Sequence, residues 1–527
     1  MKLSRRHLLR ATLGATQTAL LSRAVTPRLA WGQTSTGPTK LLTLFLGGGW
    51  QSPWAFVPFS DTEVGQIIPS PHVKSGEPCY FAASDMVNLD GSSGLTGALR
   101  LPKLWDQTAL AAGMPDPRTG GATSPNGWSW VQNQLWQNAM VVHGVDQMTV
   151  AHVGGTISAL TGVASSEFKS PALNAYVADA LSSRFPDRPL PSVWISGPAP
   201  ESPGLKATAA PARITQASDL KFLYSDQLSG PWANLHAADV MSNIAPLGFD
   251  GSPIANAGFV LNPIEDRVAR RLRGMKGQLN PASEGVLQQL YDGLSQVSRV
   301  LAKDVTGMVQ NTQGVQYSPV PFWGPSGGGH FAVDVPGFKN DSGSTWSADF
   351  DLALRLLKSD VCSAVGVSAQ APQNASWDNG HAEGHEVQFV QVRAMLEVIG
   401  QLLGEMKATP GKTAGQSLLD ETLVVVISDF ARTWPNSAPS SDHWASNSVI
   451  FAGGGINTNR MLGGYVVGDP NATGFLGQPI DVAEVTGTVN RVPRSADIVT
   501  TACAVLGVTG IRISGGNGEI LGVRQGT

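Results

Sequence analysis

Short apolar runs without polar alternation recur along the chain: "LLTLFL" (41–46), "AMVVHG" (139–144), "SVWI" (192–195), "VCSAVGV" (361–367), "TLVVVI" (422–427) and "SVIFAGGG" (448–455). A strand with one face in water alternates apolar and polar residues, so continuous runs of this length predict strands buried on both faces. Between them lie stretches of helical period. The clearest is 385–406, where Phe389, Val392, Met395, Leu396, Ile399, Leu402, Leu403 and Met406 recur at three- and four-residue spacing. Another, 495–508, opens on Ser495, the expected N-cap. Strands alternating with helices predict an α/β protein with a mostly parallel sheet covered by helices on both faces. The middle, about 201–345, breaks the pattern with Gly/Pro/Ser-rich loops around two helical stretches (262–277 and 283–309), as an inserted cap would.

The N-terminal pattern belongs outside the fold. Residues 1–30 begin basic, carry the twin arginine Arg5-Arg6 and continue into a short apolar stretch broken by Gly14, Thr16, Gln17 and Thr18. This reads as a twin-arginine export signal, too short and polar to span a bilayer. Residues 31–40 then form a linker, and 41–527 a single α/β domain with the insertion. The expected location is the periplasm or the exterior, with no integral membrane segment once the signal is removed.

Charge narrows the partners. The whole chain has 36 basic and 40 acidic side chains, and all six charged residues of 1–30 are basic, leaving 30 against 40. An acidic chain without basic runs argues against nucleic acid and anionic membranes. Three widely separated cysteines, Cys79, Cys362 and Cys503, form neither a disulfide framework nor a paired metal motif.

The chemistry concentrates in loops after strands, where open α/β sheets place their sites. Three such loops stand out: "GGGWQS" (47–52), "SWDNGHAEGHE" (376–386) and "SDFARTWPNSAPSSDHW" (428–444). Of nine histidines, His152, His330, His381, His385 and His443 lie in or beside candidate site loops. His381 and His385 are four apart, a spacing that shares one helix face. A zinc-protease helix would need Glu after the first histidine, and here Ala382 stands there. The alternative is a polar helix start, with Asp378 and Glu383 favouring its positive end. Asp442-His443 could present two ligands together or form a surface turn. Asp429, closing a buried strand, needs a cation or hydrogen bonds, and Arg432 could neutralise it or bind an anion. His152 reads equally as a core histidine or a site residue. Gly324-Pro325-Ser326-Gly327-Gly328 matches a nucleophile-elbow string but lacks the strand before and helix after.

With these segments placed, the chain resembles a family of exported bacterial proteins catalogued as domain of unknown function 1501, similar in fold to the alkaline phosphatase and sulfatase superfamily. The resemblance is carried by "LFLGGGWQSPWAFVP" (44–58), "AHVGGTISALTG" (151–162), "SWDNGHAEGH" (376–385), "LLDETLVVVISDFART" (418–433) and "DHWASNSVIFAGGGI" (442–456). It implies a divalent metal (zinc, manganese, calcium or magnesium) at the carboxyl edge of the sheet, acting on a phosphate or sulfate ester. By the same resemblance Asp378, His381, Asp442 and His443 are the expected ligands, with His385 and Asp429 as further ones. Arg432 would offset charge on the departing anion, and Ser52 and Thr156 are the hydroxyl candidates for a nucleophile. Gln51 stands where the family carries Asp, so the charge of a two-metal site is reduced. The substrate would be a small-molecule or polymeric ester. The rival expectation is a non-catalytic envelope or secreted binding protein of the same fold with a decayed metal site.

Overall fold

A computed structural model describes residues 37–50, 55–59, 86–92, 97–102, 129–197, 199–205, 209–221, 305–315, 320–321, 334–335, 346–369, 377–378, 385–432, 442–466, 478–479 and 492–526. Of the sequence expectations, the export signal, Gln51, Ser52, His330, His381, the string 324–328 and most of the predicted cap lie outside these residues.

In chain order the elements used below are β1 (Lys40–Leu46), α1 (Ser129–Gln132), β2 (Ala139–Asp146), α2 (His152–Thr161), α3 (Leu173–Ser182), β3 (Leu190–Ile195), β4 (Ala212–Ile214), α4 (Trp346–Lys358), β5 (Cys362–Ser368), α5 (His385–Ala408), β6 (Thr422–Ser428), β7 (Ala431–Arg432), β8 (His443–Trp444), β9 (Ser446–Gly453), β10 (Arg460–Leu462) and α6 (Ser495–Val505). Every run read as a buried strand is one, within two residues at each end. The protein is of the α/β class, with a mostly parallel mixed sheet and helices. Every residue of β1 and of β6 is buried. Neighbouring side chains on a strand point to opposite faces, so both faces of these strands are covered.

The chain divides into two compact units, and one of the divisions falls inside β5, between Val365 and Gly366. The larger comprises residues 29–167, 314–354 and 366–527. Its strands run in the order β10-β2-β9-β6-β1, with the end of β5 beside β1. β1 pairs with β6 in parallel from Lys40–Thr422 to Leu46–Ser428. Lys40, at the buried start of β1, is neutralised by Glu421 at 3.2 Å. On α5 the apolar positions that the period picked out and that are described, Val392 to Met406, are all buried. Here α1 docks on α5 through Trp130, whose indole N–H donates to the Leu396 carbonyl at 2.8 Å. α6 packs on α2, joined by a 3.1 Å hydrogen bond from Ser158 to Ser495.

The smaller unit comprises residues 1–28, 168–313 and 355–365. In it β3 pairs in parallel with β4, α3 packs on β3, and Leu190 N–H reaches the Val361 carbonyl at 2.9 Å. β4 falls inside the stretch expected to be an inserted cap, so the first part of that stretch is sheet. The second helical stretch expected there meets a described helix at Val305–Asn311.

Two other expectations change. β9 runs antiparallel to both β6 and β2. The cause is local: β7 and β8 pair antiparallel, Ala431 with Trp444 and Arg432 with His443. The chain therefore turns back after β6 instead of crossing over, as a short connection between neighbouring strands permits. Ser495 does not cap α6. Its hydroxyl reaches Gln147, and Asp497 bonds back to the Arg494 N–H at 3.0 Å instead.

Candidate functional site

β1, β2 and β6 point the same way, and β9 starts at the edge where they end. The Ala369 N–H meets the Phe45 carbonyl at 2.8 Å, so β5 ends at that edge as well. Chain leaving these strands therefore converges: Gly47–Gly49 after β1, His152 after β2, Asp378 after β5, and Asp429 to His443 around β6–β8. All belong to the larger unit.

The reversal at β7–β8 builds the first half. Arg432 and His443 are cross-strand partners, so their backbones are held side by side. The His443 ring lies over Phe430, centroids 4.2 Å apart, and its Nδ1 donates to the Val150 carbonyl at 2.8 Å. A carbonyl only accepts, so Nδ1 of His443 carries a proton.

α2 builds the second half. His152 opens the helix, its ring 4.7 Å from Phe430 and 4.5 Å from His443. Its Nδ1 lies 2.7 Å from Asp429 Oδ2. That approach requires a glycine: a Cβ on Gly155, one turn on, would come within 2.7 Å of the Asp429 carbonyl. Asp429 is 1% exposed. Its Oδ1 accepts from Gly48 N (3.0 Å), Gly49 N (2.8 Å), Ser428 Oγ (2.9 Å) and Phe430 N (3.2 Å). The acid at a buried strand end is thus satisfied by hydrogen bonds, as burial demands. It stands behind His152 rather than among the convergent atoms.

Asp378 completes the group. Its Oδ1 lies 3.1 Å from His152 Nε2, 3.1 Å from His443 Nε2 and 2.6 Å from Arg432 Nη2. One ligand atom from each of His152, Asp378 and His443 lies within 4.8 Å of the other two, the one such metal-capable group among the described residues. Gly48 gives Asp378 its room. With φ of 121°, a conformation favouring glycine, it would put a Cβ 2.9 Å from Trp377 Cβ and 3.0 Å from Asp378 N.

The charges follow from these contacts. Partial burial of Asp378 works to raise its pKa but is outweighed by hydrogen bonds from His443 and Arg432 and the charges of His152 and Arg432, which bring it down to about 2. His152 is shifted upward, first by its hydrogen bond to Asp429, against burial, with further help from the charges of Asp429 and Asp378. Burial leads the downward shift of Arg432, opposed by its bond to Asp378.

Measured against expectation, the structure brings Asp378 and His443 together. Asp442 is exposed, accepts its neighbour's N–H at 2.8 Å and lies outside the three-residue group. Arg432 is fully buried, with Nε on the Gly49 carbonyl and Nη2 on the Gly48 carbonyl, both at 2.8 Å. It braces the β1 turn and Asp378 instead of presenting itself to a departing anion. Thr156, half-buried, follows His152 at the i+4 position of α2 and shares its helix face. His385 begins α5.

His152 is the member that the residue pattern left open. A signal was available in "AHVGG", since paired glycines early in a helix mark a close backbone approach.

No curated protein matches the chain. Residues 349–493, which carry Asp378, Asp429, Arg432 and His443, match the model of a family described as protein of unknown function (DUF1501).

Proposed function

We propose that the protein is an exported, metal-dependent hydrolase-like protein of alkaline-phosphatase-like fold, acting on a phosphate or sulfate ester, with His152, Asp378 and His443 as metal ligands. One observation carries the reading. Both imidazole Nδ1 atoms face oxygen acceptors, Asp429 and the Val150 carbonyl, so both Nε2 atoms turn toward Asp378 Oδ1. That arrangement gathers two ring nitrogens around one carboxylate oxygen, and a cation bound there would replace the Nε2 protons that otherwise bridge to Asp378. Partners that fix the tautomer in this way accompany most metal-ligating histidines.

The donor set refines the choice of metal. Two imidazole nitrogens and one carboxylate suit zinc or manganese and disfavour calcium or magnesium, which prefer oxygen. A bound metal would polarise the ester oxygen and lower the pKa of the attacking group. Asp429 fixes the His152 tautomer, the Val150 carbonyl fixes that of His443, and Arg432 holds Asp378 and the Gly48–Gly49 turn. Phe430 packs against both imidazole rings.

The test is turnover of aryl phosphate, phosphodiester and aryl sulfate substrates by the purified chain supplied with zinc or manganese, before and after chelation. Chelator-sensitive, metal-restored hydrolysis supports the reading. Metal binding with silence on all three substrate classes would favour the non-catalytic binding protein.

A further inference from the structure

Among the described residues, the large apolar side chains standing in solvent are Met148 (57% exposed), Val150 (49%), Val153 (63%) and Met308 (40%). Three of the four fall between Met148 and Val153, in chain that contains His152 and whose Val150 carbonyl holds His443. Scattered exposed apolar residues need no explanation, but three within six residues of chain that also supplies His152 do.

The backbone presenting these side chains is tied down at successive points. Gln147 N–H donates to the Ala445 carbonyl at 2.7 Å, Met148 N–H to Asp146 Oδ1 at 2.8 Å, and Ala151 N–H to Thr149 Oγ1 at 3.1 Å. Met148 itself holds a left-handed backbone, φ 58°, an uncommon state for a residue other than glycine. Such conformations persist where surrounding structure imposes them, and they cluster at ligand clamps. The ridge is therefore a fixed feature of the loop that delivers His152.

Its size selects the occupant. Three partly exposed side chains offer a patch on the order of a few hundred Å². A stable protein partner needs roughly 800 Å² from each side. The patch suits an alkyl or aryl group of a small molecule whose polar end lies at the three ligands. The net acidic chain argues against an anionic lipid surface.

We propose that Met148, Val150 and Val153 form the subsite for the apolar alcohol portion of the substrate, so that the site selects amphiphilic oxyanion esters over small polar ones. The inference rests on the metal-site reading above. The full chain, loaded with zinc, is titrated calorimetrically with hexylphosphonate and with methylphosphonate, which share a head group, resist hydrolysis and differ in alkyl length. Metal content and light-scattering mass are read for every sample.

Binding strengthens with each methylene removed from water. Partial burial of the chain predicts a hexyl preference of about tenfold or more. In the double variant Met148→Asn, Val153→Ser the preference falls below about threefold; Asn tolerates the left-handed backbone at 148. A metal-loaded protein that binds both phosphonates equally, or a preference unchanged in the double variant, overturns the subsite alone. A metal-free protein that binds neither overturns the metal site and the subsite together. A wild-type dimer that the double variant dissociates, with the hexyl preference intact, assigns the ridge to self-association and also overturns the subsite.

Discussion

His152 Nδ1 and Asp429 Oδ2 meet at 2.7 Å across 277 residues of sequence. Asp429 is simultaneously the acceptor for the β1 turn, through Gly48 and Gly49. One buried carboxylate therefore ties the end of β1, the end of β6 and the start of α2 to the same point, and the tautomer of His152 depends on it.

Asp429→Asn keeps the shape and removes the charge. A lost partner behind a ligating histidine typically costs 10–100-fold in metal affinity, and that range is expected here by competition with a calibrated chelator. Asp429→Ala also strands Gly48, Gly49 and Phe430 N–H groups. It should destabilise the fold by about 3 kcal/mol or more in urea unfolding. Equal stability of the two variants would separate Asp429 from the backbone turn.

Gly155→Ala tests the close approach of α2. In an exposed helix the change would stabilise by up to about 1 kcal/mol. Here the new Cβ meets the Asp429 carbonyl at 2.7 Å, and overpacking of this kind costs about 1–3 kcal/mol. Weaker metal binding should accompany the loss, because His152 rides on the same helix turn. A stability gain would contradict the packing described.

Arg432→Lys should behave as a severe change. A lysine cannot reproduce the fork on the Gly48 and Gly49 carbonyls while reaching Asp378. A loss of about 1–3 kcal/mol, from leaving the buried Gly48 and Gly49 carbonyls incompletely bonded, is expected by thermal or urea unfolding, together with weaker metal binding. An unchanged midpoint would return Arg432 to the role of an anion-binding side chain.

His143 supplies a pH signature away from the site. It is fully buried on β2, its Nδ1 lies 2.8 Å from Ser448 Oγ, and burial pushes its pKa down to about 3. An unfolded histidine titrates near 6.5. Between about pH 6.5 and 3 the unfolded chain therefore binds the extra proton, and stability falls as pH falls through that window. His143→Gln should flatten the acid limb of the stability profile by up to about 1.4 kcal/mol per pH unit. Superimposable profiles would show that His143 titrates normally in the fold.

These residues also show what sequence could and could not convey. The strands were legible because both faces are buried, which leaves unbroken apolar runs such as "TLVVVI". Asp378 and His443 were legible because polar clusters after such strands gather at the carboxyl edge. The direction of β9 was not, since it depends on a two-residue pairing of Arg432 with His443 that has no periodicity to read. His152 was half legible, as one histidine before two glycines. What makes it a site residue is an acid from 277 positions later. Arg432 had the residue type of an anion binder, and only its burial against the Gly48–Gly49 turn reassigns it.

The most direct measurement is metal stoichiometry by elemental analysis of the purified full chain, after zinc or manganese loading and extensive dialysis. Wild type is predicted to retain at least one ion per chain, and His152→Ala, Asp378→Ala and His443→Ala each to lose it while keeping native circular dichroism. A metal-free wild type, or folded variants that all retain the ion, would contradict the three-residue metal site.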